Sequence, residues 1–242
     1  MPLYRDEAIV LRTNDLGEAD RIVTALSRNH GKIRAVAKGV RRTLSKFGAR
    51  LEPFSRFDAQ FAEGRSLDVV TQAVGIAAYG GPLASDYERF TAASGIVETA
   101  DRITDTEPSP GQFTLLGSAL ASLAAAQHPP VLIFDSYVLR AISIAGWAPS
   151  LDACAQCGRT EGLCSLSVVA GGVLCADCAG PDAPRVRPAV VEVLRMLRSG
   201  AWEPLRVAGD ADLRAADSFV RAYEQYVLER RVRSLPQIGR GR

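Results

Sequence analysis

Four cysteines in two close pairs constrain this chain more than any other feature. They read Cys154-x-x-Cys157, seventeen residues, then Cys175-x-x-Cys178. Two thiolate pairs at this spacing can meet at the corners of a tetrahedron around one zinc ion. Such a segment folds around its metal rather than around an apolar core. Gly158 follows the first pair and Gly171-Gly172 precedes the second, where a backbone must turn tightly. Four thiolates leave no position open for water, so the expected site is structural, with one zinc per chain. The competing reading is two unrelated pairs of buried or redox-active cysteines. The fifth cysteine, Cys164, lies between the pairs in GLCSLSVV and is expected to be a small buried hydrophobe. With four of five cysteines assigned to a metal, a disulfide scaffold is disfavoured and a reducing cytoplasm is expected.

The remaining sequence is that of a globular protein. It has 242 residues, 47% of them hydrophobic, and no apolar run long enough to span a membrane. The opening MPLYRDEAIV carries acids at once and does not look like a secretion signal. Net charge is only +2, but its distribution is uneven. Residues 28 to 50 hold Arg28, Lys32, Arg34, Lys38, Arg41, Arg42, Lys46 and Arg50 without one acid, and Arg230, Arg231, Arg233, Arg240 and Arg242 follow the last acid, Glu229. Segregated positive charge points to a polyanionic partner. Arginine outnumbers lysine 26 to 3, which fits a compositional bias, so position carries more weight here than residue type.

Hydrophobic periodicity divides the chain into three regions, and the expected class is multidomain α+β. Residues 1–80 alternate with period two: Ile33, Ala35 and Ala37 share one face, as do Phe57, Ala59 and Phe61. Five strands in about 80 residues, with one long basic loop, predict a five-stranded OB-like β-barrel, though an SH3-like barrel would give a similar pattern. Gly80-Gly81-Pro82 marks a boundary. Beyond it an all-α helical domain is expected over 81–149 and 181–242. It is interrupted at 150–180 by the four-cysteine zinc-binding insert. Its stripes include Phe113, Leu116, Leu120 and Leu123, and later Val190, Val193, Leu194 and Leu197.

No catalytic constellation stands out. The two histidines, His30 and His128, sit in a turn and before a diproline, and no phosphate loop, dinucleotide fingerprint or H-E-x-x-H is present. Asp101 and Asp105 could hold Mg²⁺ in principle, but no third acid converges on them. A non-enzymatic binding protein is therefore expected. The candidate DNA-binding residues are Lys32, Arg34 and Lys38 on a strand, with Arg41, Arg42 and Lys46 in the loop after it. Phe47, Phe54 and Phe57 are candidates for stacking on bases, although core roles suit them better. The alternative to a DNA-binding protein is a zinc-stabilised protein-interaction scaffold that binds nucleic acid incidentally.

Several segments resemble the bacterial recombination mediator RecO family. They are EAIVLR at Glu7–Arg12, LGEADRIVT at Leu16–Thr24, HGKIRAVAKGVRR at His30–Arg42 and SKFGARLEPF at Ser45–Phe54. GWAPSLDACAQCG at Gly146–Gly158, GGVLCADC at Gly171–Cys178 and LERRVRSL at Leu228–Leu235 continue the likeness in order. The resemblance implies an N-terminal oligonucleotide-binding barrel, a helical domain and a zinc segment. It implies action in RecF-pathway repair, binding of single- and double-stranded DNA, and annealing of complementary strands. The implied partners are RecR, the acidic and apolar C-terminal tail of single-strand-binding protein, and, indirectly, RecA. No membrane association is implied, and the expected location is the cytoplasm, near the nucleoid.

Overall fold

The computed structural model describes residues 2–43, 45, 47–180 and 183–234. Lys46, a candidate DNA contact, lies outside the described residues, as do the side chains of the basic ending from Arg230 onward. The chain divides into two compact units, Met1–Phe134 and Asp135–Arg242.

The first unit begins with five strands: β1 (Leu3–Leu16), β2 (Asp20–Ser27), β3 (Lys32–Ala37), β4 (Ser55–Ala62) and β5 (Asp68–Ala78). They pair in the order β1-β2-β3-β5-β4, and antiparallel pairing of β1 with β4 closes the sheet on itself. The alternation seen in the sequence fills the interior. Ala8, Val10, Val23, Ala25, Ile33, Ala35 and Ala37 point inward against Phe57, Phe61 and Val70. Alanines facing phenylalanines let a narrow ring pack densely. Phe47 and Leu51, in and beside a 3₁₀ turn at Gly48–Leu51, belong to the same core. Phe47 and Phe57 are each 1% exposed, so neither can stack on a base.

Helices α1 (Gly80–Ala84), α2 (Tyr87–Ile103) and α3 (Pro110–Ala124) complete this unit, together with the start of α4 (Pro130–Ile144). Asp86 caps α2 by accepting the Arg89 N–H at 3.0 Å. Pro110 opens α3 with its φ already set for a helix. The helices are fastened to the strands by polar contacts. Asp101 on α2 accepts from Arg12 Nε at 2.8 Å and lies 3.2 Å from Lys32 Nζ. The Lys32 N–H donates to the Asp105 carbonyl at 2.7 Å. Glu7 pairs with both Arg28 and Arg56, and those guanidinium groups lie 4.8 and 5.7 Å from the Phe113 ring centre on α3.

These contacts correct the expected fold class. An OB-like barrel standing alone ahead of an all-α domain is not what forms. The strands share one compact unit with α1, α2 and α3, and the β3–β5 seam of the ring is only two parallel pairs, Ala35 with Asp68 and Val36 with Val69. The β-hairpin of the later segment falls within 150–180, the stretch expected to be the cysteine insert. The physical reason for the shared unit is that part of the outer face of β1 and β2 is apolar: Ile9 and Leu26, paired across it, are fully buried. A solvated barrel would leave that face in water.

The second unit takes the rest of α4, the hairpin β6 (Leu163–Ser167) and β7 (Gly172–Cys175), and helices α5 (Ala176–Ala179), α6 (Pro188–Ser199), α7 (Trp202–Leu205) and α8 (Asp210–Ser234). The predicted α6 stripe is part of its core: Val190, Val193, Leu194 and Leu197 are buried, and α8 adds Ala216, Phe219, Val220, Tyr223 and Val227. Gly200 ends α6 at φ 72°, the left-handed cap that favours glycine.

One buried acid makes this unit sensitive to pH. Asp135 is fully buried; among the described residues no cation or backbone N–H donates to its carboxyl oxygens, and the group facing it is the carboxyl of Asp217. Burial first, and the nearby negative Asp217 second, push its pKa from 3.8 up to about 8, against the opposing pull of Arg221. In the unfolded chain this carboxyl ionises near pH 4, so folding at higher pH must take up a proton. Its contribution to stability is whole below that point and is lost as pH rises toward the folded value. The loss is about 1.4 kcal/mol per pH unit while one proton is taken up. Asp135→Asn should therefore flatten the fall in stability between about pH 6 and 8. Urea unfolding at both pH values checks this, and equal slopes for the two proteins would show that Asp135 does not titrate there.

Candidate metal centre and nucleic-acid interface

The four paired cysteines converge. The Sγ atoms of Cys154, Cys157, Cys175 and Cys178 all lie within 4.8 Å of one another. Cys157 Sγ and Cys175 Sγ are 3.8 Å apart. A tetrahedron with metal–sulfur bonds of about 2.3 Å has edges of about 3.8 Å, so the set fits a small dication.

Local geometry explains why the sequence puts them there. After Cys154 the chain turns back, and the Gly158 N–H donates to the Cys154 carbonyl at 2.8 Å, with Gly158 at φ 77°. Cys175 ends β7 and Cys178 lies in the single turn of α5, so the second pair is held by a strand-to-helix corner. Ser150 crosses over Gly172: the Ser150 N–H donates to the Gly171 carbonyl at 2.9 Å, and the Val173 N–H to the Ser150 carbonyl at 2.8 Å. A side chain at Gly172 would come within 2.1 Å of the Ser150 oxygen, so only glycine fits.

The apolar content of this module is small. Cys154, Leu174 and Cys175 form its buried cluster, flanked by Ala155, Leu163, Cys178 and Ala179. Three of those seven residues are candidate ligands, so a bound ion would be the centre of the module. The thiols are electrically unequal. The Cys175 N–H, 3.4 Å from Cys154 Sγ, leads the backbone donors that pull the Cys154 pKa down to about 6. Neighbouring Cys157 and Cys175 push the Cys178 thiol up to about 12. Crowded thiolates of this kind repel one another until a cation is shared among them. Asp152 ties the module to α6 through Arg195 at 2.9 Å and Arg198 at 2.8 Å. Cys164 stands apart from the four. It is half-buried rather than buried, with Arg185 Nη1 2.5 Å from its sulfur.

The six candidate DNA contacts do not share one fate. Arg34 and Lys38 on and just after β3 are exposed, as is Arg42, and none of the three pairs with a carboxylate among the described residues. Lys32 is half-buried and holds the Asp101 carbonyl at 2.6 Å as well as its carboxylate. Arg41 is exposed, but lies 3.3 Å from Asp15 and donates to the Gly17 carbonyl at 3.2 Å. Lys46 is outside the described residues. Arg12 was not among the candidates. In register it lies across Thr24 from Arg34, since Arg12 pairs with Thr24 and Thr24 with Arg34. Residues directly opposite on neighbouring strands face the same side, so Arg12, Arg34 and Lys32 share the outer face of β1, β2 and β3. Alternation along β1 would have turned Arg12 inward with Ala8 and Val10; a bulge between Val10 and Arg12 turns it outward, so period two alone could not have found it.

Comparison with known proteins gives concordant results. The family description "Recombination protein O N terminal" matches residues 1–79, and "Recombination protein O C terminal" matches residues 84–236. The DNA repair protein RecO of Bifidobacterium longum strain NCC 2705 is 53% identical over 237 residues, covering 97% of this chain and 98% of that protein. That of Thermobifida fusca strain YX is 47% identical over 242 residues, covering 99% and 100%. That of Streptomyces griseus strain NBRC 13350 is 46% identical over 243 residues, covering 97% and 98%.

Proposed function

The chain belongs to the RecO family of DNA repair and recombination proteins, and from that premise we propose that it is a non-catalytic mediator that binds DNA and pairs complementary strands. The observation that supports this reading best is the family likeness running through both the strand-rich and the cysteine-bearing parts of the chain. The exposed cations of β3 and of the loop after it supply the physical means. Two single strands repel through their phosphates. A surface carrying Arg34, Lys38 and Arg42 displaces condensed counterions and holds both backbones close. Pairing is then downhill, and proximity rather than a reactive side chain raises its rate.

The metal is zinc, one per chain, held by Cys154, Cys157, Cys175 and Cys178. Their softness as thiolates and the absence of a fifth donor from the set favour a closed structural site. The partners are single- and double-stranded DNA, RecR and the C-terminal tail of single-strand-binding protein, through which RecA gains access to coated strands. The reaction takes place in the cytoplasm. No helix among the described residues is long and apolar enough to cross a membrane.

The test uses labelled complementary strands, naked or coated with intact or tail-deleted single-strand-binding protein, without nucleotide or Mg²⁺. Annealing on naked strands and on intact coats, but not on tail-deleted coats, is expected. Equal rates on both coats would favour the scaffold reading. A second expectation follows from which cations lack carboxylate partners. Arg34→Glu with Lys38→Glu should weaken DNA binding and lower the salt slope by roughly two. Arg41→Glu should do less, because Asp15 already shares that charge. Salt titrations of the variants check this, and identical slopes would place the DNA path elsewhere.

A further inference from the structure

An open groove of about 460 Å³ lies where the strands meet α2. Leu11, Arg12 and Thr13 of β1 form one wall, and Phe90, Ser94 and Val97 of α2 form another. Phe54 lines it too, with its backbone held at φ 67°. A bulky residue in that region is strained by roughly 1–3 kcal/mol, and such strain persists only where the surrounding fold imposes it. Here it sets the Phe54 ring nearly perpendicular to that of Phe90, with centroids 5.7 Å apart. Phe90 nevertheless stays 44% exposed, and Tyr87, one turn earlier on α2, is 84% exposed. Large aromatic surface is thus left in water beside an apolar groove, where burial would be favourable.

The charge around the groove selects the occupant. Arg12 both lines it and belongs to the outer row with Arg34. Arg12 and Lys32 share the single carboxylate of Asp101, so the rim keeps a positive charge. A phosphate on the Arg34–Arg12 row would carry its own base to the groove mouth. We propose that this groove receives an unstacked base of single-stranded DNA, against the Phe90 ring, while Arg12 and Arg34 hold the adjoining backbone. This rests on the DNA-binding reading above and adds a preference to it. The bases of a duplex are stacked and paired, so a duplex can use the cations but not the groove.

The experiment compares an oligothymidylate with a duplex of equal length by fluorescence anisotropy. Phe90→Leu keeps the groove apolar but removes the ring face. It should weaken oligothymidylate binding on the order of tenfold and leave duplex binding unchanged. Arg34→Glu should weaken both. In the unaltered protein, 5-iododeoxyuridine in the oligonucleotide should photo-crosslink to the peptide carrying Phe90 or Phe54. Unchanged oligothymidylate affinity in Phe90→Leu would overturn the proposal and leave the groove to an apolar peptide side chain, which leucine would still receive. Equal loss on both DNAs, or crosslinks only at other peptides, would overturn it too. If the unaltered protein bound neither DNA, the DNA-binding reading itself would fail, which is a separate outcome.

Discussion

Replacing Cys157 with serine is expected to empty the metal site and unfold the module around it. A serine hydroxyl is not deprotonated near neutral pH and does not substitute for a thiolate, so three ligands would remain. Structural zinc contributes folding free energy on the order of 10 kcal/mol, which is comparable to the whole stability of a domain. The module has little else to hold it, given its seven-residue cluster. Metal analysis should fall from about one equivalent per chain to near zero. Amide exchange should then lose protection in β6, β7 and α5, while β1–β5, in the other compact unit, keep theirs. Cys164→Ser should leave the metal in place, because its sulfur is outside the cluster of four. Retained metal in Cys157→Ser, or lost metal in Cys164→Ser, would sink the ligand assignment.

The second large effect is expected at Gly31, in the turn between β2 and β3. Its φ of 65° already disfavours any side chain, and a Cβ there would sit 2.4 Å from the Thr106 carbonyl oxygen and 2.5 Å from that of Glu107. Both atoms are backbone, so nothing flexible can yield. The hairpin would have to leave the loop between α2 and α3 and lose the Lys32-to-Asp105 bond. The left-handed backbone costs about 1–2 kcal/mol, overpacking another 1–3, and the lost bond about 1, so Gly31→Ala should cost roughly 3–6 kcal/mol. Gly17 is the internal control. It has φ 60°, but nothing lies within 4 Å of the added atom. Gly17→Ala should cost about 1–2 kcal/mol, for the backbone alone. Urea unfolding of the two variants measures the difference. Equal losses would mean that the hairpin and the helical loop are not in contact in solution.

The turn at Gly31 also marks the limit of what periodicity could foresee. His30 and Gly31 read as a reversal between strands, which they are. Nothing in the local sequence said that the reversal presses against residues 105–107 at the far end of α2. The same applies to Asp6, which is buried at the start of the chain. Burial pushes its pKa up, but bonds from His30, from the Asn29 backbone and from Ser27 outweigh this and hold it below the usual carboxylate range. His30 is a turn residue, as its position before Gly31 suggested, but its 2.8 Å anchor to Asp6 was not legible there.

The sequence by itself determined the four-cysteine cluster and the strand interior. Both depend on short-range regularities. Cys-x-x-Cys spacing sets which sulfurs can meet, and period-two alternation sets which side chains face inward, so Cys154, Cys157, Cys175 and Cys178, and Ile33, Ala35, Ala37, Phe57, Ala59 and Phe61, could be read directly. Tertiary structure alone decided how the positive charge is used. An acid-free run from residue 28 to 50 looks uniformly available, but a cation's availability depends on partners distant in sequence. Lys32 meets Asp101, 69 positions away, while Arg34 two residues later meets no carboxylate among the described residues. It also decided where α2 meets the strands, with Asp101 taking Arg12 of β1 and Lys32 of β3. Helical periodicity tells which face of a helix is buried, not what buries it.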